Sequence, residues 1–266
     1  MAVPGRFRRI HQGLQDNVAI EEQGQPLCLS SRFVAPLGLQ CGRGSNASDC
    51  PGSRVSRLSA ALRAHVQLLH TEAERTGLVG DVLRGRATPG DYALWLRNLL
   101  PTYQEMEAAL ERYRGRAPFI ELARPELYRA EAIISDLHRL TGGWHRLPLL
   151  HAGSIYAQQV AQAATGDGHL LIAHVYTRYL GDLSGGLVLK RVLARLPGAQ
   201  SFRFHDFPGI ADRQACQIEF RAAIDRAGAQ RSDWTDILVE GAAAFRCNIE
   251  LSKAIQAVCA DPAFPL

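Results

Sequence analysis

The stretch Ala173–Arg191, AHVYTRYLGDLSGGLVLKR, has the apolar and charged spacing of one long helix, with three glycines in its middle. Each of Gly181, Gly185 and Gly186 costs about 1 kcal/mol relative to alanine inside a helix. Gly181 and Gly185 are four residues apart and share a helix face, and Gly186 lies beside them. The three glycines therefore predict a strip of bare backbone that a flat ligand can approach closely.

Polar side chains flank this strip: Arg178, Tyr179, Asp182 and Ser184. Hydrogen-bonding groups around a bare surface suit a planar ligand whose chemistry takes place at its face. An alternative that needs no ligand is close helix packing, in which the small residues let two backbones touch. The glycine spacing by itself leaves both interpretations open.

Eleven consecutive residues, Tyr176–Gly186, read YTRYLGDLSGG, and this string closely resembles the distal-helix signature of the haem oxygenases. The resemblance extends from Leu58 to Asp261 and includes, in the same order, APF at Ala117, FPGIA from Phe207 and AAAFRCNIEL from Ala242. It implies an all-α, single-domain haem oxygenase-like fold. In that fold, haem is held between a proximal helix and a glycine-kinked distal helix.

The resemblance also implies an axial ligand for the haem iron, His70, in the segment LHTEAE that ends at Glu74. Four apolar residues before it recur at helical spacing and form one face of a helix: Leu58, Leu62, Val66 and Leu69. His70 lies at the edge of that face. The residues alone also fit a histidine that packs at a core boundary and binds no metal.

The family pattern assigns the polar residues near the glycines to a distal network. Asp182 is expected to anchor water beside the bound dioxygen, with Glu107 and Tyr179 among its supporting residues. The catalytic residues are expected to be Asp182, Arg178, Tyr103 and Asn248. A carboxylate that holds water there can deliver protons for attack on a meso carbon of the porphyrin. The alternative is an Arg178–Asp182 helix ion pair worth about 0.3 to 0.5 kcal/mol.

The remaining expected contacts surround the haem. Arg63, Arg221 and Tyr176 match family positions that bind the two propionates, which need cationic or hydroxyl partners. Further haem contacts are expected from Glu74, Gly181, Ser184, Gly185 and Phe245. One residue departs from the pattern: four positions before Arg221, where the family often has lysine, this chain has Gln217, which donates a hydrogen bond but carries no charge.

The implied activity is oxidative cleavage of haem, both substrate and cofactor, by dioxygen to biliverdin, carbon monoxide and ferrous iron. The sequence contains no G-x-G-x-x-G dinucleotide motif, so electrons are expected from a partner reductase, ferredoxin or flavodoxin. Two other functions stay open. One is a non-catalytic haem-binding or haem-storage protein on the same fold; the other, a di-metal carboxylate oxidase, needs Glu-x-x-His pairs, which the sequence lacks.

Composition agrees with an enzyme built on one core. The chain has 266 residues, of which 47% are hydrophobic, and a net charge of +4 that forms no concentrated basic patch, so no nucleic-acid partner is expected. The six cysteines show neither C-x-x-C nor zinc-finger spacing, and Cys247 and Cys259 are expected to be buried thiols. The C-terminal AVCADPAFPL contains no run of spanning length, so we expect no membrane anchor and a cytoplasmic location.

Two regions are predicted along the chain. Residues 1–54 lack helical or strand periodicity and are expected to be a disordered N-terminal extension, whereas residues 55–266 are expected to form the helical domain. Thr88–Asp91, TPGD, predicts a helix start, with a capping threonine, proline in the first turn and an acidic residue. Further helices are predicted at 126–140, 154–164, 169–196, 211–227 and 232–258.

Overall fold

The computed structural model describes residues 57–195 and 202–261. The predicted extension 1–54 and the three N-terminal cysteines lie outside this part of the chain. Within it, all regular secondary structure is helical and no strand occurs, which confirms the all-α prediction.

The two described ranges contain ten α-helices in chain order: α1 Leu58–Arg75, α2 Gly77–Leu83, α3 Pro89–Tyr113, α4 Phe119–Leu122, α5 Ala130–Leu140, α6 His151–Ala163, α7 Leu171–Val175, α8 Gly181–Leu193, α9 Arg213–Ala229 and α10 Thr235–Cys259. Two single-turn 3₁₀ helices, Pro125–Leu127 and Trp144–Arg146, precede α5 and α6. Helices occur in each predicted range. The range 126–140 is divided into a 3₁₀ turn and α5, and the predicted end at residue 196 lies outside the described residues.

Helix α3 crosses the core and begins where the sequence predicts. The Thr88 hydroxyl accepts a hydrogen bond from the Asp91 amide at 3.1 Å, and the Asp91 carboxylate accepts one from the Thr88 amide at 2.7 Å. This reciprocal cap satisfies backbone donors that the first turn leaves without partners. Because its start is fixed, α3 presents Tyr92, Leu96 and Tyr103 to the interior, where each is fully buried.

Small residues allow α1 to lie close to its neighbours. A Cβ at Gly241 of α10 would come within 2.8 Å of the Leu62 side chain, and one at Gly228 of α9 would come within 2.5 Å of Leu58 Cβ. Glycine at these two positions therefore sets the distance at which α1 packs on α9 and α10. Helix α1, which carries His70, thus packs against α10, which carries Phe245.

The predicted distal helix is continuous from Leu171 to Leu193, but its middle is not α-helical. Residues Tyr176–Leu180 form a π-helix between α7 and α8, in which backbone bonds join residues five apart. Behind this helix lies the segment 202–212. Its Arg203 and Phe204 amides both donate to the buried Asp136 carboxylate at 2.7 Å, which holds the segment against α5.

The cysteine prediction is corrected by the structure. Cys216 is buried, whereas Cys247 and Cys259 are only partly buried, and all three are free thiols. The reason is the phase of α10: its inward positions include Phe245 and Ile249, and Cys247 lies between them at the edge of the buried face. None of the helices in the described ranges is long and apolar enough to span a membrane.

Candidate functional site

Four polar side chains from four elements meet in the interior beside the glycine-rich helix. The Tyr103 hydroxyl of α3 donates to Asp182 Oδ2 at 2.5 Å and accepts from Arg178 Nε at 2.9 Å. Arg178, in the π-helix, also donates to Asn248 Oδ1 of α10 at 2.8 Å. The structure thus joins Tyr103, Arg178, Asp182 and Asn248, the four residues that the family resemblance names as catalytic, into one hydrogen-bonded network.

The electrostatics of this network keep one positive and one negative group together in the interior. Burial disfavours the charge of Arg178, but the neighbouring Tyr103 and Asp182 hold its pKa above the ordinary value. Burial raises the pKa of Asp182, and the Arg178 charge and the Tyr103 hydroxyl oppose that rise. Burial likewise raises the pKa of Tyr103 far above its usual range, so the phenol keeps its proton and donates a hydrogen bond to the carboxylate.

The direct contact between Arg178 and Asp182 is the longest in the network, 3.4 Å from Nη2 to Oδ1. Both side chains lie below one tenth exposure, unlike a surface ion pair along a helix. Tyr103 makes the shorter bonds to each of them. The hydrogen-bonded phenol, rather than an isolated i,i+4 ion pair, therefore fixes the geometry of Asp182.

The three glycines of the distal helix do not share one role. A Cβ at Gly181 would meet nothing within 4 Å, and Gly181 is exposed, which fits the predicted open face. Gly186 does not belong to that face: a Cβ there would lie 3.1 Å from His205 Nδ1, and Gly186 is buried. The prediction of one strip formed by all three glycines is wrong at Gly186, because that position is turned toward the segment 202–212.

His70 lies on α1. Its side chain is 48% exposed, and its Nδ1 lies 3.6 Å from Glu74 Oε1, one turn further along the helix. The Phe245 ring of α10 packs at 5.9 Å from the imidazole, centroid to centroid. The Glu74 carboxylate thus lies on the Nδ1 side of the imidazole, and the phenyl ring packs against the same imidazole.

Arg63 and Arg221, which are expected to bind the haem propionates together with Tyr176, lie near the Tyr176 hydroxyl. Burial raises the pKa of Tyr176 to about 12, and the charges of Arg221 and Arg63 oppose that rise, so α1 and α9 each bring a cation close to this hydroxyl. Gln217 of α9 donates its amide to the Leu183 carbonyl and lies 3.2 Å from the Ser184 hydroxyl. It thus links α9 to α8 at the position where the family often has a lysine.

Two residues expected to support the distal network, Glu107 and Tyr179, make no direct hydrogen bond to its four members. Glu107 accepts from the backbone amides of Arg129 at 2.5 Å and Ala130 at 3.1 Å, and so caps the start of α5. Burial raises the pKa of Glu107 to about 7. The Tyr179 hydroxyl is buried without a hydrogen-bond partner in the described part of the chain. Neither side chain bonds directly to Asp182 or Arg178.

Sequence reasoning missed His205, which lies behind the distal helix. Its ring is 1% exposed, and its Nε2 lies 3.2 Å from the Tyr92 hydroxyl. A lone histidine inside FRFHDF gives no periodic or spacing signal, because its importance comes from contact with Gly186, a residue distant in sequence.

Comparison with known proteins agrees with this geometry. The Heme oxygenase family model matches residues 56–254. Heme oxygenase 1 of Nostoc sp. is 30% identical over 206 residues, which cover 76% of this chain and 87% of that protein. Heme oxygenase 1 of Homo sapiens is 30% identical over 213 residues, covering 77% of this chain and 74% of the human protein.

Solved structures give the same result. The haem oxygenase of Leptospira interrogans superposes with a TM-score of 0.69 at 32% identity, over 75% of this chain and all of that chain (100%). The haem oxygenase-1 of Synechocystis, solved in complex with haem, superposes with a TM-score of 0.71 at 29% identity, over 76% of this chain and 93% of that chain. The sequence match, the helical architecture and the buried network beside the glycine-rich helix together show that this chain belongs to the haem oxygenase family.

Proposed function

We propose that this protein binds haem between α1 and the distal helix and cleaves it oxidatively to biliverdin, carbon monoxide and ferrous iron. Dioxygen and electrons from a partner reductase, ferredoxin or flavodoxin complete the reaction. The observation that carries the proposal is the buried network of Tyr103, Arg178, Asp182 and Asn248, which lies beside a glycine face on one side of the site while His70 is presented on the other.

The residues present fit haem in three respects. At Gly181 there is space for more than a hydrogen atom, since a Cβ would touch nothing within 4 Å, and a flat macrocycle needs such close access to backbone. His70 offers a half-exposed imidazole, a common ligand of haem iron. Arg63 and Arg221, both near the Tyr176 hydroxyl, offer the cations that two propionates require.

Bound haem supplies an iron centre that activates dioxygen and the meso carbon that becomes oxidised. The protein supplies position, through His70 on one helix and the glycine face on the other. We propose that Glu74 and Phe245, which contact the His70 imidazole, keep this ring in the orientation that its ligand role needs. Gly185 and Ser184 are proposed to line the opposite face.

Asp182 is proposed to hold water on the distal side and to control protons there. Its carboxylate is buried, and burial raises its pKa, so it exchanges a proton closer to neutral pH than an exposed aspartate does. The Tyr103 hydroxyl and the Arg178 guanidinium fix one edge of the carboxylate. Asn248 orients Arg178 in turn. The network therefore holds the Asp182 carboxylate in a fixed position, where it can accept a hydrogen bond from water. The positive charge of Arg178 balances the charge of the carboxylate.

The test is the variant Asp182→Ala, assayed with hemin, a chemical reductant and dioxygen. We expect haem to bind as in the wild type, because His70 is unchanged, and biliverdin formation to fall by about two to four orders of magnitude, the size of a lost acid–base contribution. We expect the variant to use reduced dioxygen in peroxidase-like reactions instead of in oxidation of the meso carbon. Asp206→Ala is the matched control. It also removes a carboxylate, but one that pairs with Lys190 of α8 and takes no part in the network.

Two measurements separate function from folding. Biliverdin is followed by its visible absorption and carbon monoxide by capture on reduced myoglobin, and each variant is melted in parallel. Near-normal biliverdin yield from Asp182→Ala would contradict the proposed role of the carboxylate. Haem binding without any turnover by the wild type would instead support a haem-binding or haem-storage protein.

A further inference from the structure

His205 has a buried ring nitrogen with no partner. Its ring is 1% exposed, and Nε2 contacts the Tyr92 hydroxyl at 3.2 Å. The other nitrogen, Nδ1, has no hydrogen-bond partner among residues 57–195 and 202–261. Leaving a buried polar atom unpaired is energetically unfavourable, so this atom needs an explanation that the fold alone does not provide.

The Tyr92 contact decides which nitrogen carries the proton. Tyr92 is fully buried, and its hydroxyl must donate to an acceptor to avoid an unpaired O–H group. His205 Nε2 is that acceptor, so the single proton of the neutral ring sits on Nδ1. Burial, reinforced by the charges of Arg178 and Arg213, lowers the pKa of His205 to about 3. The ring therefore stays neutral, and its unpartnered atom is an N–H donor.

This donor lies one helical turn from Asp182. Nδ1 is 3.1 Å from the position a Cβ would take at Gly186, and Asp182 and Gly186 are four residues apart in α8. Cβ positions four residues apart on a helix are about 5 to 6 Å from each other. The imidazole therefore lies about one helical turn from Asp182. No direct hydrogen bond joins Nδ1 to the carboxylate in the described part of the chain, and one bridging water can span a gap of this kind.

The surroundings of His205 are continuous with the distal network. The adjacent Phe204 packs edge-on against the Tyr103 ring, with centroids 5.6 Å apart. Burial raises the pKa of the Tyr92 hydroxyl, and the charges of Asp136 and Asp182 add to the rise. The segment that carries His205 thus contacts the same phenol ring that holds Asp182.

We propose that His205 is a positioning residue for Asp182: its Nδ1–H donates to a buried water, and that water donates to the Asp182 carboxylate. Gly186 is glycine because a side chain there would push the imidazole away from α8. The consequence for haem turnover rests on the proposed function, whereas the bridge itself is a property of the haem-free protein and is tested there.

The first experiment is ¹⁵N NMR of the haem-free protein with labelled histidine. We expect the His205 ring to be protonated at Nδ1, with its N–H protected from exchange, and to shift when Asp182 is changed to asparagine. Glu107→Gln, which neutralises another buried carboxyl, is the control and should leave the His205 signals in place. A proton on Nε2, or signals that Asp182→Asn does not move, would overturn the bridge.

The second experiment uses two amides that each retain one half of the imidazole. The amide of His205→Asn lies where Nδ1 lay and keeps the bridging donor, while that of His205→Gln lies where Nε2 lay and keeps only the Tyr92 contact. We expect the glutamine variant to cleave haem about tenfold more slowly at unchanged haem affinity, the effect of one lost hydrogen bond. The asparagine variant should stay near the wild-type rate.

The reverse order, with asparagine impaired and glutamine normal, would show that His205 acts through Tyr92 and overturn the proposal. Equal rates for both variants and the wild type would overturn it as well. If the wild type did not cleave haem at all, the proposed function would fail, but the NMR experiment would still test the link between His205 and Asp182. Failure of one inference is therefore distinguishable from failure of the other.

Discussion

Glu107 makes the stability of this protein depend on pH near neutrality. The carboxyl is largely buried beneath the start of α5, and burial raises its pKa from 4.5 to about 7, against the opposing effect of the Arg129 and Ala130 amides. A carboxyl with a raised pKa in the folded state stabilises the fold only while it is protonated. Its contribution is fully present below pH 4.5 and is lost as the pH rises to 7 and above.

The size of the effect follows from the two pKa values. One pKa unit corresponds to about 1.4 kcal/mol. Ionisation of Glu107 in the folded protein therefore lowers the free energy of unfolding at pH 8 by roughly 3 kcal/mol. Glu107→Gln keeps an oxygen acceptor for the two amides but cannot ionise. We therefore expect the variant to match the wild type near pH 4.5 and to exceed it at pH 8 by roughly 3 kcal/mol, or about 6 to 12 °C in Tm for a chain of this size.

The assay is thermal or urea unfolding of both proteins at several pH values between 4.5 and 8. Taking the difference between variant and wild type cancels the pH dependence of all other groups. Glu105→Gln, at an exposed position of the same helix, is the control for the loss of one negative charge. A stability difference that stays constant with pH would refute the reasoning and mean that the two backbone amides compensate for burial.

Three further outcomes are expected. Gly181→Ala should raise the free energy of unfolding by up to about 1 kcal/mol, because the new methyl group enters open space. Gly186→Ala should lower Tm, because its methyl group contacts His205. Thermal melts of the two variants and the wild type, run in parallel, test both expectations. His70→Ala should melt within about 1 kcal/mol of the wild type but alter the absorption spectrum of bound ferric haem, and an unaltered spectrum would identify another residue as the ligand. A protein beginning at Val55 should cleave haem at the full-chain rate, and loss of turnover with an intact helical fold would show that the leading segment is needed.

Local signals in the sequence predicted most of the helices. Thr88 and Asp91 are three residues apart and bond reciprocally, so a short-range pattern was enough to locate the start of α3. The family resemblance brought together Tyr103, Arg178, Asp182 and Asn248, which four separate elements contribute. No spacing rule would connect these residues, because their proximity arises only when α3, the distal helix and α10 pack against one another.

The features that the sequence did not predict depend on which way a side chain points. Gly186 follows Gly185 directly, yet Gly186 is buried against His205, and only the packing of segment 202–212 shows this. Glu107 lies one turn after Tyr103 on α3, but it reaches the amides at the start of α5 rather than Asp182. His205 has no pattern at all in the sequence. Each of these outcomes is set by tertiary contacts that short-range spacing cannot encode.

The π-helix at Tyr176–Leu180 acts as an insertion within a continuous helix. An α-helix turns about 100° per residue, so each residue added or removed in this segment rotates everything before it by that angle relative to the glycines that follow. Deleting one residue here would restore ordinary α-helical bonding and leave a longer, regular helix. The same deletion would swing Tyr176 away from Arg63 and Arg221 while Asp182 stayed in place. An insertion or deletion at Tyr176–Leu180 therefore keeps the helix continuous but changes how the residues before this segment are oriented relative to the residues after it.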